Sequence, residues 1–308
     1  MTTLSSEKTS CWFAGHESFT LRHAWLPKAF TGIREQPDLF LREDAMVTLG
    51  VGKNMVRSIR HWALATGILA EGPFFEGTRS RMIESTPLGT LLFGKRGKDP
   101  YLEDPATLWL LHWHLASRRD GPTTWWWAFN EYQDTEFTKE RMLAALQLHV
   151  GRCGWDRVAE SSLSRDVDCF IRTYLPSRGT RSSILEDTLD CPFTELSLLH
   201  QLDDGVITFN RGEHPTLRSA VVAFSVLDYW DHTAPHKNTL TFDQVAYQPG
   251  SPGRVFRLSE NVLTDHLEAM EKLTEKAVTY DVTAGLRQMY RRKAVDPIAI
   301  LRRLYEEV

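Results

Sequence analysis

The chain has 308 residues, 42% of them apolar and 25% charged, with a formal net charge of −4. This is enough length for two domains or one large one, with a core that needs no crosslinks, and any surface for nucleic acid must be local. Its four cysteines, Cys11, Cys153, Cys169 and Cys191, form no CxxC pair, which argues against a zinc ribbon or a dithiol motif.

The opening run MTTLSSEKTS lacks the apolar stretch of a signal peptide, and no run reaches the roughly 18 apolar residues of a membrane span. The expectation is a cytoplasmic protein with reduced thiols. The segment FAGHESFTLRHAWLPKAF follows. Leu21, Trp25, Ala29, Phe30 and Ile33 recur at helical spacing, so a helix is expected from the Ser18 cap toward Arg34, kinked at Pro27. His16 and Glu17 stand at its entrance. Two readings stay open: metal binding or acid–base chemistry, and simple capping of the helix end.

Next, Ala45, Met46 and Leu49 suggest a short helix ending at Gly50. After a turn at Val51–Gly52, Met55, Val56, Ile59, Trp62 and Ala63 form a second stripe, closed by Gly67. Two strand-like runs, GILAEG and RSRMIES, precede the helix TPLGTLLFG. This order predicts a winged-helix module. Lys53, Asn54, Arg57 and Arg60 (or His61) would face DNA, and Arg79 and Arg81 on the wing would meet phosphates. LGVGKN is not a P-loop, because Val47 and Asn54 occupy positions that need glycine and a hydroxyl residue.

The middle reads as helical, with Asp104 capping DPATLWLLHWHLASR, a helix through TKERMLAALQLHVG, one capped by Ser164 in SLSRDVDCFIRTYLP, and one begun by Asp190 and Pro192. Trp125, Trp126 and Trp127 could stack bases, but core packing is favoured. Asp166 and Asp168 would lie roughly 200° apart on a helix and could not share a metal. Asp187 and Asp190, at i and i+3, could converge on one. From Thr239 a capped helix, a strand pair and a basic tail predict a second winged-helix-like module, with Arg254 and Arg257 as nucleic-acid contacts beside the turn PGSPG. The predicted fold is therefore mainly α, with an N-terminal module over 1–102, a helical middle over 103–238 and a C-terminal module over 239–308.

Taken together, GHESFTLRHAWLPKAF, EDAMVTLGVGKNMVRSIRHWALATGIL, TPLGTLLF, SRDVDCFIRTY, EDTLDCPFTELSLL and SPGRVFRLSE resemble one family, the SspB-type proteins of bacterial single-stranded DNA phosphorothioation and anti-phage defence. The resemblance runs from about Cys11 to Arg292, and LGVGKNM with SPGRVF carries most of it. It implies a DNA nickase that works with a cysteine desulfurase, an ATPase and a reductase-like sulfur-transfer enzyme. Phosphodiester hydrolysis of this kind commonly uses carboxylate-held Mg²⁺. The candidate carboxylates are Glu17, Asp166, Asp168, Asp187 and Asp190, with Asp187 and Asp190 as metal ligands and His16 or His23 as proton carrier. The competing expectations are a non-enzymatic DNA-binding adaptor that recruits the sulfur-transfer proteins, and an interaction protein whose modules bind protein.

Overall fold

The structure, a computed structural model, describes residues 11–75, 79–176, 191–202 and 204–306. The first helix, α1, spans Trp25–Glu35 and starts later than the stripe suggests. Ser18 does not cap it; residues 14–18 form a separate turn. Pro27 lies in the first turn of α1, where a backbone N–H has no helical acceptor, so it need not interrupt the bonding. Helix α2 (Ala45–Leu49) stops at Gly50, whose φ of 65° is the left-handed value that favours glycine. Helix α3 (Lys53–Ala65) buries Val56, Ile59, Trp62 and Ala63 against α1.

Strands β1 (Leu69–Phe74) and β2 (Arg81–Ser85) pair antiparallel, with an irregular register between Glu71 and Phe74. Helix α4 (Pro87–Phe93) follows, its first turn closed by the Gly89 N–H donating to the Thr86 hydroxyl.

In the middle, α5 (Pro105–Ser117) is apolar on nearly every side and runs through the core. Asp104 accepts from the Ala106 N–H at its start. Helix α6 (Thr123–Asn130) is buried throughout, and all three consecutive tryptophans pack inside. Trp125 meets Trp62 at 5.5 Å and Phe170 at 5.9 Å between ring centres, so it is no platform for bases. Helix α7 is Lys139–Arg152. Helix α8 is Glu160–Tyr174, one turn longer at its start than a Ser164 cap allows. Pro192–Leu196 is a 3₁₀ turn rather than a helix. Strands β3 (Glu136–Phe137), β4 (Leu199–Gln201) and β5 (Ile207–Phe209) form an antiparallel sheet ordered β3-β5-β4.

After α9 (Ser219–Thr233) come β6 (Thr239–Thr241), α10 (Phe242–Tyr247), α11 (Pro252–Val255) and α12 (Glu260–Leu273). Strands β7 (Val278–Thr283) and β8 (Leu286–Arg291) join through Ala284–Gly285, both with positive φ, as a two-residue hairpin turn demands. Their sheet is ordered β6-β8-β7. The last helix, α13 (Pro297–Leu304), packs on α9 and α4, and the Tyr305 hydroxyl lies 2.7 Å from that of Thr107. One hydrophobic cluster extends from Leu21 to Leu304.

The mainly α expectation, with winged-helix modules at both ends, does not hold. The chain is about 51% helix and about 13% strand, a mixed α/β architecture with three small antiparallel sheets. The middle sheet was hidden because its strands are two or three residues long, too short for an alternating pattern to register. At the C-terminal end β6, which precedes α10, joins the hairpin as a third strand. No helix among the described residues is long and apolar enough to cross a membrane.

Candidate functional site

The turn before α1 is held in an unusual shape. Ala14, Glu17 and Ser18 all have left-handed φ values, 60°, 49° and 67°. Such conformations cost on the order of 1–3 kcal/mol each in non-glycine residues, so their surroundings must over-determine them. Asp166, reaching in from α8, does this. Its Oδ1 accepts from the Ala14 N–H at 2.7 Å and lies 3.0 Å from His16 Nε2. Its Oδ2 accepts from the Thr124 hydroxyl at 2.9 Å, at the start of α6. His16 and Asp166 are each 1% exposed.

The remaining bond fixes the tautomer of His16. The Ser18 N–H donates to His16 Nδ1 at 3.0 Å, so Nδ1 carries no proton and Nε2–H is the donor to Asp166. Both ring nitrogens are engaged, and His16 acts as a strut rather than a free proton carrier. His23 is exposed two residues before α1 and makes no bond to this turn.

The same network aims Glu17 outward. Its carboxylate is 27% exposed and lies 3.2 Å from Arg57 Nη1 on α3. Arg172 of α8 ties the turn from the other side, donating to the Ser18 carbonyl at 2.7 Å. Lys53, Asn54 and Arg57 are exposed on α3. Arg60 turns to Glu71 of β1 at 2.9 Å. Arg81 approaches the same carboxylate at 3.6 Å and covers the ring of Phe74 at 4.5 Å. Arg79 joins Arg60, Arg81, Phe40 and Phe74 around a cleft of about 320 Å³.

His61, the alternative to Arg60 on the outer face, instead faces inward. It is 3% exposed, and neither ring nitrogen has a hydrogen-bond partner among the described residues. It stands edge-on to Trp12 at 4.9 Å and to His16 at 5.7 Å. Burial first, then the neighbouring His16 and Arg60, drives its pKa well below the usual histidine value. Gly15 permits this packing, since a Cβ there would sit 2.5 Å from His61 Nδ1.

The other acidic candidates do not converge here. Asp168 leaves the opposite side of α8 from Asp166 and pairs with Lys139 at 2.7 Å. Asp187 and Asp190 lie outside the described residues. Arg254 and Arg257 stand apart, around α11; Arg254 Nε donates to the Tyr247 carbonyl and Arg257 packs on Phe209. The Asp166 partnership with His16 and Thr124 joins residues 150 and 42 positions apart, and no local pattern announces it.

Comparison with known proteins places the chain in a family. The profile of a family described as "Protein of unknown function (DUF4007)" matches residues 13–305. A crystal structure of SspB is 30% identical, with a TM-score of 0.87, over 97% of this chain and 90% of that one. The chain belongs to this family and is an SspB-type protein. A magnesium-ion-bound SspB crystal structure is similar to it at 30% identity and a TM-score of 0.88, over 98% of this chain and 91% of that one. No curated protein matches the sequence. The SspB likeness connects the chain to the Ssp system.

Magnesium in a relative makes the fit of a metal here a direct question. Magnesium prefers oxygen ligands from one or two carboxylates in near-octahedral geometry. Among the described residues no group of three or more His, Cys, Asp or Glu could hold a metal ion. Both oxygens of Asp166 already accept hydrogen bonds, and Asp168 is salt-bridged elsewhere. Of the expected carboxylates, Asp166 and Asp168 are thus already engaged, and Asp187 and Asp190, expected as the metal ligands, lie outside the described residues.

Proposed function

We propose that this SspB-type chain is the DNA-nicking component of a phosphorothioation and anti-phage defence system. The observation that carries the proposal is Glu17. A buried His16–Asp166–Thr124 network holds it on a strained turn, with its carboxylate facing out beside the basic residues of α3. Strain maintained at one partly exposed acid, next to cations that can meet phosphates, is an arrangement suited to positioning.

In this reading Lys53 and Arg57 meet backbone phosphates, and Asn54 lies beside them on the first turn of α3. A phosphate entering the face competes with Glu17 for Arg57 and frees the carboxylate. Glu17 then accepts a proton from the water that attacks phosphorus, the P–O bond to the sugar oxygen breaks, and that oxygen leaves as a hydroxyl with a proton from solvent. His16 and Asp166 touch no substrate; they position the turn.

Adaptor function is the second reading, and the existing pairing of Glu17 with Arg57, which engages the carboxylate beside the basic face of α3, supports it. Here the α3 face binds DNA and the chain recruits the desulfurase, the ATPase and the reductase-like enzyme without cleaving the DNA itself. Incubating pure protein with supercoiled plasmid and magnesium, with and without chelator, separates the two. Open-circle product supports nicking. Plasmid that is bound but stays supercoiled supports the adaptor.

A further inference from the structure

The segment PGSPGRVFRL is among the most specific stretches of the chain, yet the proposed function leaves it without a role. Its backbone is rigidly placed. Gly250 has φ 79° and donates to the Asn130 side chain at 2.6 Å. Gly253 touches the backbone so closely that a Cβ would lie 2.4 Å from the Ala246 oxygen. Pro252 opens α11, and Arg257 follows with a left-handed φ of 55°. The Arg257 carbonyl accepts from the Gly212 N–H at 3.0 Å, and Gly212 bridges to Leu258 as in a parallel pair. This fastens Arg211 beside Arg257. Arg254 is one turn away, its carbonyl accepting from the Arg257 N–H at 3.2 Å.

From this juxtaposition we propose that Arg211, Arg254 and Arg257 form a seat for a tetrahedral phosphate group, either a backbone phosphodiester of DNA or free phosphate. The charge balance points that way. The Arg257 guanidinium lies 3.7 Å from the centre of the Phe209 ring, and its Nη2 reaches only the Ala128 carbonyl, at 3.5 Å. Its Nε is buried without a partner among the described residues. Burial, then Arg254 and Arg211, pull its pKa down to about 10, and no carboxylate among the described residues opposes them. Glu260, near enough to feel Arg211, is already held by the Tyr247 hydroxyl and by Arg287, which lower its pKa. Exposed Glu213 bonds none of the three.

A ring face offsets part of the cost of a half-buried guanidinium, but it does not neutralise three like charges brought together. A phosphate does, because guanidinium groups present paired N–H donors to its oxygens. The segment is thus a second anion site, built on a different part of the chain from the α3 face. It rests on the DNA reading only for the source of the phosphate.

The experiment uses the full chain, unaltered and with Arg211→Gln plus Arg254→Gln, which leaves the Arg257–Phe209 contact intact. Thermal midpoints are read in inorganic phosphate and in chloride at equal ionic strength. The affinity for a short DNA duplex and for a single strand is read across salt concentration. The expected result is a phosphate-specific rise in midpoint that the double variant loses. If DNA supplies the phosphate, the slope of log affinity against log salt also falls by about one to two. A phosphate effect with an unchanged DNA slope assigns the seat to free phosphate. Equal midpoints in phosphate and chloride, with unchanged slopes, overturn the seat. Loss of the plasmid-nicking activity as a claim would leave the phosphate result standing, so the two fail separately.

Discussion

Replacing Asp166 tests whether the buried network builds the Glu17 turn. In Asp166→Ala three donors lose their acceptor: the Ala14 N–H, His16 Nε2–H and the Thr124 hydroxyl. Hydrogen bonds to a charged group contribute about 1.5–3 kcal/mol each, and buried donors left without an acceptor bear the desolvation cost in full. Removing Asp166 also removes its own cost of burial, which holds the three bonds to the low end of that range, so the loss should be about 4–5 kcal/mol. In a chain of this size roughly 2 °C accompanies each kcal/mol, so the thermal midpoint should fall by about 8–10 °C. Asp166→Asn keeps an oxygen for Ala14 and His16, and its amide can donate to the Thr124 oxygen after the hydroxyl rotates. That exchange forfeits only charge assistance, about 1–2 kcal/mol. Thermal unfolding followed by tryptophan fluorescence reads both variants. Equal midpoints for the two variants, or a drop below about 2 °C in Asp166→Ala, would refute the network as the support of this turn.

Two further outcomes follow from the core and from the arginine segment. Burial lowers the pKa of His112 to about 3 against the opposing Val255 carbonyl, and that of His114 to about 4 against Asp228, while His61 lies well below its usual value. The unfolded chain takes up these protons near pH 6.5 and the folded chain does not, so stability is full above that pH and falls as pH drops toward 4. Urea midpoints measured from pH 7 to pH 4 should decline steadily; a flat profile between pH 6.5 and pH 5 would mean the histidines are not buried as described. Gly253→Ala drives a Cβ to within 2.4 Å of the Ala246 oxygen and should cost about 1–3 kcal/mol of unfolding free energy, read by chemical denaturation. A cost under about 0.5 kcal/mol would show that α10 and α11 separate freely.

Local patterns in the sequence were reliable where one element explains itself. The glycine stop at Gly50, the cap at Asp104, and the inward stripe of Val56, Ile59, Trp62 and Ala63 follow from short-range rules. The middle sheet did not follow, because Phe137 pairs with Ile207 across a long stretch of chain and the strands are too short to alternate. Ser18 looked like a helix cap because serine before an apolar stripe usually is one. Its positive φ instead belongs to a turn imposed from α8 and α6. The candidate site was half visible. Glu17, Arg57 and Asp166 can be named as chemically interesting residue types, but nothing local distinguishes the inward Asp166 from the outward Asp168 in role. Nor does spacing reveal that His16 is a strut, since its bond to Asp166 is a tertiary contact and its bond to Ser18 needs the turn that this contact supports.

Glu17→Gln tests the central claim most directly. The change keeps the shape of the side chain and removes its charge and its capacity to accept a proton. Its ion pair with the exposed Arg57 contributes at most about 1 kcal/mol, so the thermal midpoint should move by no more than about 2 °C. The rate at which supercoiled plasmid becomes open circle in magnesium should drop by about 100-fold or more, as for loss of a general base. DNA affinity should hold or rise, because Arg57 is released. A variant that nicks at the unaltered rate would contradict the assignment of Glu17 as the acid that carries the chemistry.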